Sequence, residues 1–182
     1  MKFLKHLIEK SKKASGGFTL IEMLVYLTIL VIIMGTIVIF GVMIIRTGAK
    51  IKVNAEVMDN GRRALNIMAY EIKKAQSIYS PTIVFDANPG QLSLEQSVSQ
   101  PAEETKTYVD FFKCGDRLCL KREDEDALNI TSDKVRVTNL VFSKLSNSTP
   151  SIQISLRIES LAAPSPYYSS SVDLTTTVDL GL

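Results

Sequence analysis

A chain of 182 residues is too short for more than one or two folded domains, and a net charge of +2 gives no electrostatic reason to expect a nucleic-acid partner. With two cysteines and one histidine, His6, it has too few side chains for a four-ligand Cys/His zinc site. The charge is unevenly spread. Residues 1–17 hold Lys2, Lys5, Lys10, Lys12 and Lys13 against Glu9, a net of +4, which leaves the remainder at −2.

The first predicted element follows that basic arm. From Met23 to Ile45 the chain contains no Asp, Glu, Lys or Arg over 23 residues. As a helix this is roughly 35 Å, enough for a hydrocarbon core of roughly 30 Å. The arm has three readings. A secretory signal normally has a shorter apolar region, followed by a small-residue cleavage site that is missing here. An uncleaved signal anchor would keep its lysines in the cytoplasm and send the rest out. A leader removed before the apolar run is the third, and Gly16-Gly17-Phe18 favours it. Glycine has no Cβ, so a protease can bind its backbone extended and close.

The stretch GGFTLIEMLVYLTILVII, Gly16 to Ile33, resembles the class III signal of type IV pilins and type II secretion pseudopilins. The resemblance spans residues 12–45. It implies that a prepilin peptidase cuts between Gly17 and Phe18 and N-methylates Phe18. It also assigns the acid five residues after the cut, Glu22, to subunit register. In this reading the carboxylate of one subunit meets the amine of Phe18 on the next, which offsets the cost of an acid in hydrocarbon. The other reading of Glu22 is an acid at the helix edge, in the headgroup zone, complementing the N-terminal dipole. Thr19 beside it has a bland alternative as a first-turn hydroxyl. The helix-kinking proline of major pilins is absent; that neighbourhood holds Gly35 and Gly41. This departure points to a minor subunit or a pseudopilin.

Beyond Ile45 the pattern becomes amphipathic. Ile51, Met58, Leu65, Met68, Ile72, Ala75 and Tyr79 recur at helical spacing, with Glu71 among the polar residues of the other faces. One helix is therefore expected from about Phe18 to about Ser80, ended by Ser80-Pro81. Asn60-Gly61 is expected to be a tolerated weak spot or bend. Strand-like runs follow. Residues 82–86 and 91–96 are expected to pair around Asn88-Pro89-Gly90, residues 105–113 and 117–123 around Cys114-Gly115-Asp116, and residues 134–146 and 151–160 around Asn147 to Pro150. A last strand falls within 167–180. The order of one long helix and then antiparallel strands predicts an α+β fold, with the sheet laid against the helix stripe. With the runs RRALNIMAYEIKKA, YVDFFKCGDRLCLKRE, VRVTNLVFSKL and IQISLRIES it resembles the J-type minor pseudopilins and W-type minor pilins. That resemblance implies the pilin fold.

The expected organisation is a cleaved leader, 1–17, a membrane or filament-core helix, 18–45, its amphipathic continuation, 46–80, and an antiparallel β domain, 81–182. Outside the cytoplasm, Cys114 and Cys119 are expected as a small disulfide across a hairpin tip. The alternative is two free thiols facing opposite ways. The run Glu123-Asp124-Glu125-Asp126 reads as a solvated loop, because it lacks the spacing of a Ca²⁺ loop. The resemblance is to a mainly prokaryotic family, in which the sequons at Asn129 and Asn147 are usually uninformative. No catalytic motif is present, and no histidine follows the leader.

A structural filament subunit is thus expected, with no cofactor and no metal. The resemblance implies prepilin peptidase, other pilin or pseudopilin subunits, an inner-membrane assembly platform and, before assembly, membrane lipid as partners. It also implies a leader in the cytoplasm, one pass through the cytoplasmic membrane and an extracytoplasmic C-terminal domain. The alternative is an uncleaved, signal-anchored binding or sensor module.

Overall fold

The computed structural model describes residues 17–97, 106–123, 125–146, 150–161 and 169–181. The lysine arm, Gly16, Asp124 and the Asn147 sequon lie outside the described residues. Helix α1 spans Leu20–Lys74, and eight strands follow: β1 Ser77–Ile78, β2 Leu92–Gln96, β3 Thr107–Cys114, β4 Arg117–Arg122, β5 Leu128–Asn129, β6 Val135–Ser146, β7 Pro150–Ser160 and β8 Ser171–Asp179. The expected α+β class and antiparallel pairing are observed. The strands form two sheets, in the orders β1-β2-β3-β4-β5 and β6-β7-β8. The chain divides into one unit ending at Ile45 and another beginning at Arg46.

In the second unit, α1 buries Val57, Gly61, Ala64, Met68 and Ile72, with Ala75 just past its end. Steps of three and four keep these on one face. The expected stripe is therefore shifted. Ile51 is 63 % exposed, and Leu65 lies at the margin of the core. The buried face includes the small Gly61 and Ala64, which a search for large apolar residues passes over. A Cβ on Gly61 would collide with Leu174 Cδ1, so glycine there sets the helix close to β8.

Asn60 is not a weak spot. It is buried; its Nδ2 donates to Glu56 O at 2.9 Å and its Oδ1 accepts the Ser132 N–H at 2.9 Å. Glu71, expected on a polar face, is also buried. Its Oε1 meets Arg122 Nη2 of β4 at 2.9 Å, and its Oε2 accepts from Gln96 Nε2 of β2 at 2.9 Å. A buried acid persists when its lone pairs are taken in this way.

The helix stops at Lys74, short of the expected Ser80. Gln76 N–H donates to Glu95 O and Tyr79 N–H to Ser93 O, both at 2.9 Å, so Ser77 and Ile78 join the sheet edge as β1. Cross-strand bonding overrides local helix preference here. Pro81 instead lies in a 3₁₀ turn, Ser80–Thr82.

Residues 82–86 do not form the expected strand. Val84 and Gln91 make a single bridge. The segment then turns across to β6: Asp86 N–H donates to Phe142 O and Gly90 N–H to Leu140 O, both at 2.8 Å, while Asn88 Oδ1 accepts the Leu140 N–H. The outer edge of β6 is thereby satisfied by a loop rather than left open.

The two later hairpins form as expected. Along β6 the buried residues run Val135, Val137, then Leu140 and Phe142. The step of three is taken up by a register shift between Val137 and Asn139, which returns the apolar residues to the core side. β7 buries Ile152, Ile154, Leu156 and Ile158 in strict alternation. Strand β5, absent from the sequence expectations, follows the exposed Glu125 and Asp126 and places Ile130 and Thr131 in the interior. Thr131 Oγ1 accepts the Leu118 N–H at 3.1 Å, so the hydroxyl of the Asn129 sequon serves the fold.

Candidate functional site

In the first unit the described residues are the start of α1. Thr19 precedes the first helical residue, and its Oγ1 accepts the Glu22 N–H at 3.3 Å; Met23 N–H donates to Thr19 O at 3.2 Å. Thr19 is therefore the N-cap, and Glu22 stands three residues on, at N3. The T-x-x-E spacing of a capping box was legible in the sequence. The hydroxyl of Thr19 thus serves the helix start, as its bland alternative reading has it, and does so from the cap position. A carboxylate in the first turn also complements the exposed N–H groups and the helix dipole.

The side chain of Glu22 turns along the helix: Tyr26 OH donates to Glu22 Oε1 at 3.4 Å. Phe18 sets its ring against Tyr26 edge-to-face, with centroids 6.1 Å apart and planes at 73°. Phe18, Glu22 and Tyr26 recur every four residues and share one face. Tyr26 was missed in the sequence reading, although its position four residues after Glu22 was available there. Gly17 lies ahead of the helix, exposed, with open space around the position of a Cβ.

From Leu20 to Ile45 the helix exposes its apolar side chains on every side. Among the described residues it is the one helix long and apolar enough to cross a membrane. Its hydroxyls are satisfied locally. Thr28 Oγ1 donates to Val25 O at 2.8 Å and Thr36 Oγ1 to Ile33 O at 2.7 Å. Hydrocarbon offers no hydrogen-bond partner, so such internal bonds suit a spanning segment. An exposed apolar surface this extensive marks a site of contact with a membrane or with other protein.

The second set of predicted residues lies in the β domain. Phe112 faces Cys119 and Cys114 faces Arg117 across the β3–β4 hairpin, which puts both cysteines on one side of it. They form a disulfide, with Cα atoms 5.9 Å apart. Gly115, with φ 65°, supplies the positive dihedral that a two-residue hairpin loop of type II′ needs at its first position. Asn129 Oδ1 lies 3.2 Å from Cys119 Sγ, which carries the hairpin's contact on to β5. The crosslink encloses few residues and removes on the order of 2 kcal/mol of unfolded-chain entropy. A Cys114→Ser/Cys119→Ser protein is therefore expected to fold, with a stability loss of about that size in a denaturant titration. The wild-type chain purified without reductant should show no alkylatable thiol; two labelled thiols in native material would contradict an oxidised hairpin.

No group of three or more His, Cys, Asp or Glu able to hold a metal occurs among the described residues. No curated protein and no solved structure matches the chain. Residues 12–38 match the family model described as the prokaryotic N-terminal methylation motif. The matched span contains Gly17, Phe18, the cap Thr19, Glu22 and Tyr26, and it supports a type IV pilin-like precursor whose N-terminal helix fits a single-pass membrane anchor.

Proposed function

We propose that the chain is a minor pilin or pseudopilin, a structural subunit of a type IV pilus, a type II secretion system or a DNA-uptake filament. The observation that carries this reading is the methylation motif at residues 12–38, whose described part leads into a capped helix with no charged residue from Met23 to Ile45. Prepilin peptidase cuts between Gly17 and Phe18 and methylates the amine of Phe18. The leader lies in the cytoplasm, residues 18–45 span the cytoplasmic membrane, and the β domain stands outside it. Assembly, on an inner-membrane platform, moves the apolar helix from lipid to the company of other pilin helices. There Glu22 receives the Phe18 ammonium of a neighbour, and the pair sets axial register. The β domain is a structural head with no catalytic role, consistent with the structural roles of pilin-like chains.

Processing tests this directly. In a host with its prepilin peptidase, mass spectrometry should find a mature chain beginning at N-methyl-Phe18. A bulky substitution such as Gly17→Val should leave the precursor uncut, because the extended backbone at the cut site then carries a side chain. Gly17→Ala, a smaller change, should be partly processed. Assembled protein that retains Met1 would replace this reading with that of an uncleaved signal anchor.

A further inference from the structure

Glu22 and Tyr26 are two polar side chains on one face at the start of a helix that has no charged residue from Met23 to Ile45, one turn apart. Either alone is costly in hydrocarbon, which offers no partner. Together each supplies what the other lacks: the phenol donates and the carboxylate accepts, at 3.4 Å to Oε1. With water excluded, no competing partner remains and such a bond strengthens. Two further contacts hold the arrangement. Thr19 Oγ1 takes the Glu22 N–H, and the Phe18 ring rests against the Tyr26 ring at 6.1 Å. The residue just after the Gly17–Phe18 bond is thus packed on the same face as the acid.

We infer that Tyr26 is a positioning residue for Glu22. Inside the membrane its hydroxyl holds Oε1 and selects one orientation of the carboxylate. A carboxylate has about four lone-pair sites. Oε2 therefore stays open to a cation arriving from a second subunit. The identity of that cation, the Phe18 ammonium of a neighbour, rests on the filament reading above; the Tyr26–Glu22 bond does not. An aliphatic residue at position 26 would leave the carboxylate free to sample its rotamers and unpartnered until assembly.

Tyr26→Phe keeps the ring and its Phe18 contact and removes only the donor. The full chain, in vesicles of phosphatidylethanolamine and phosphatidylglycerol, is measured by infrared difference spectroscopy, with Glu22→Gln used to isolate the Glu22 carboxyl band. Tyr26→Phe is expected to move that band. In the host it should leave cleavage after Gly17 unchanged and lower crosslinking of the mature chain to its neighbours roughly three- to tenfold, the effect of one lost hydrogen bond. A band at its wild-type position in Tyr26→Phe overturns the inference. So does a moved band with wild-type crosslinking, where Glu22→Ala does reduce crosslinking. Where Glu22→Ala has no effect, the register reading falls by itself, and the band alone decides whether Tyr26 orients Glu22.

Discussion

Glu22→Ala is expected to leave membrane insertion and cleavage after Gly17 intact while nearly abolishing crosslinks between the mature chain and its filament neighbours. Removing a charge from the start of an apolar helix makes insertion easier, so a lost phenotype cannot be assigned to the membrane step. In the proposed assembly the loss is the partner of a neighbour's Phe18 ammonium, left buried without compensation. Breaking a buried pair from one side costs about 3–5 kcal/mol. That corresponds to roughly two to four orders of magnitude in the equilibrium for joining. Glu22→Asp keeps the charge on a shorter reach and should fall between. The helix cap survives in both variants, because Thr19 Oγ1 bonds the backbone N–H of residue 22 and not its side chain. Wild-type crosslinking in Glu22→Ala would reduce the acid to a helix-start residue.

The second large effect is on stability. Met68 is fully buried on α1, whereas Ile51, on the same expected stripe, is exposed. Met68→Ala should destabilise the β domain by about 2–5 kcal/mol, from lost transfer energy and the cavity left behind. For a unit of this size the melting temperature should drop by roughly 5–20 °C. Ile51→Ala should change it by no more than about 0.5 kcal/mol, as surface substitutions do. The measurement is thermal unfolding of the detergent-solubilised full chain, followed by circular dichroism in the β region. Equal effects from both substitutions would refute the burial pattern of α1.

The apolar run from Met23 to Ile45, the α+β class and the two later hairpins were legible because each is a local pattern. An uncharged stretch of helix, a period of two residues and a Gly-Asp pair between strands act through neighbours in the chain. The T-x-x-E spacing of Thr19 and Glu22 belongs to the same class, and so does the four-residue step from Glu22 to Tyr26. These last two were present in the sequence and were lost behind the single acid between them.

Other features depended on partners far along the chain. Lys74 ends the helix because the backbone of Glu95 and Ser93 recruits residues 76–79 into a sheet edge. Residues 86–90 leave their expected hairpin because β6 offers Leu140 and Phe142 carbonyls at its edge. Asn60 and Glu71 look like surface residues until Ser132, Gln96 and Arg122 arrive to satisfy them. Gly61 looks like a helix breaker until Leu174 occupies the space where a Cβ would stand. By itself, then, the sequence determined the apolar segment, the groups offered at its start and the alternation of β7, since side-chain chemistry and chain spacing suffice for those. Only the tertiary structure decided which helix face is buried, where the helix ends and how the strands divide between two sheets. Those outcomes follow from hydrogen bonds and close packing between segments tens of residues apart, which no local period encodes.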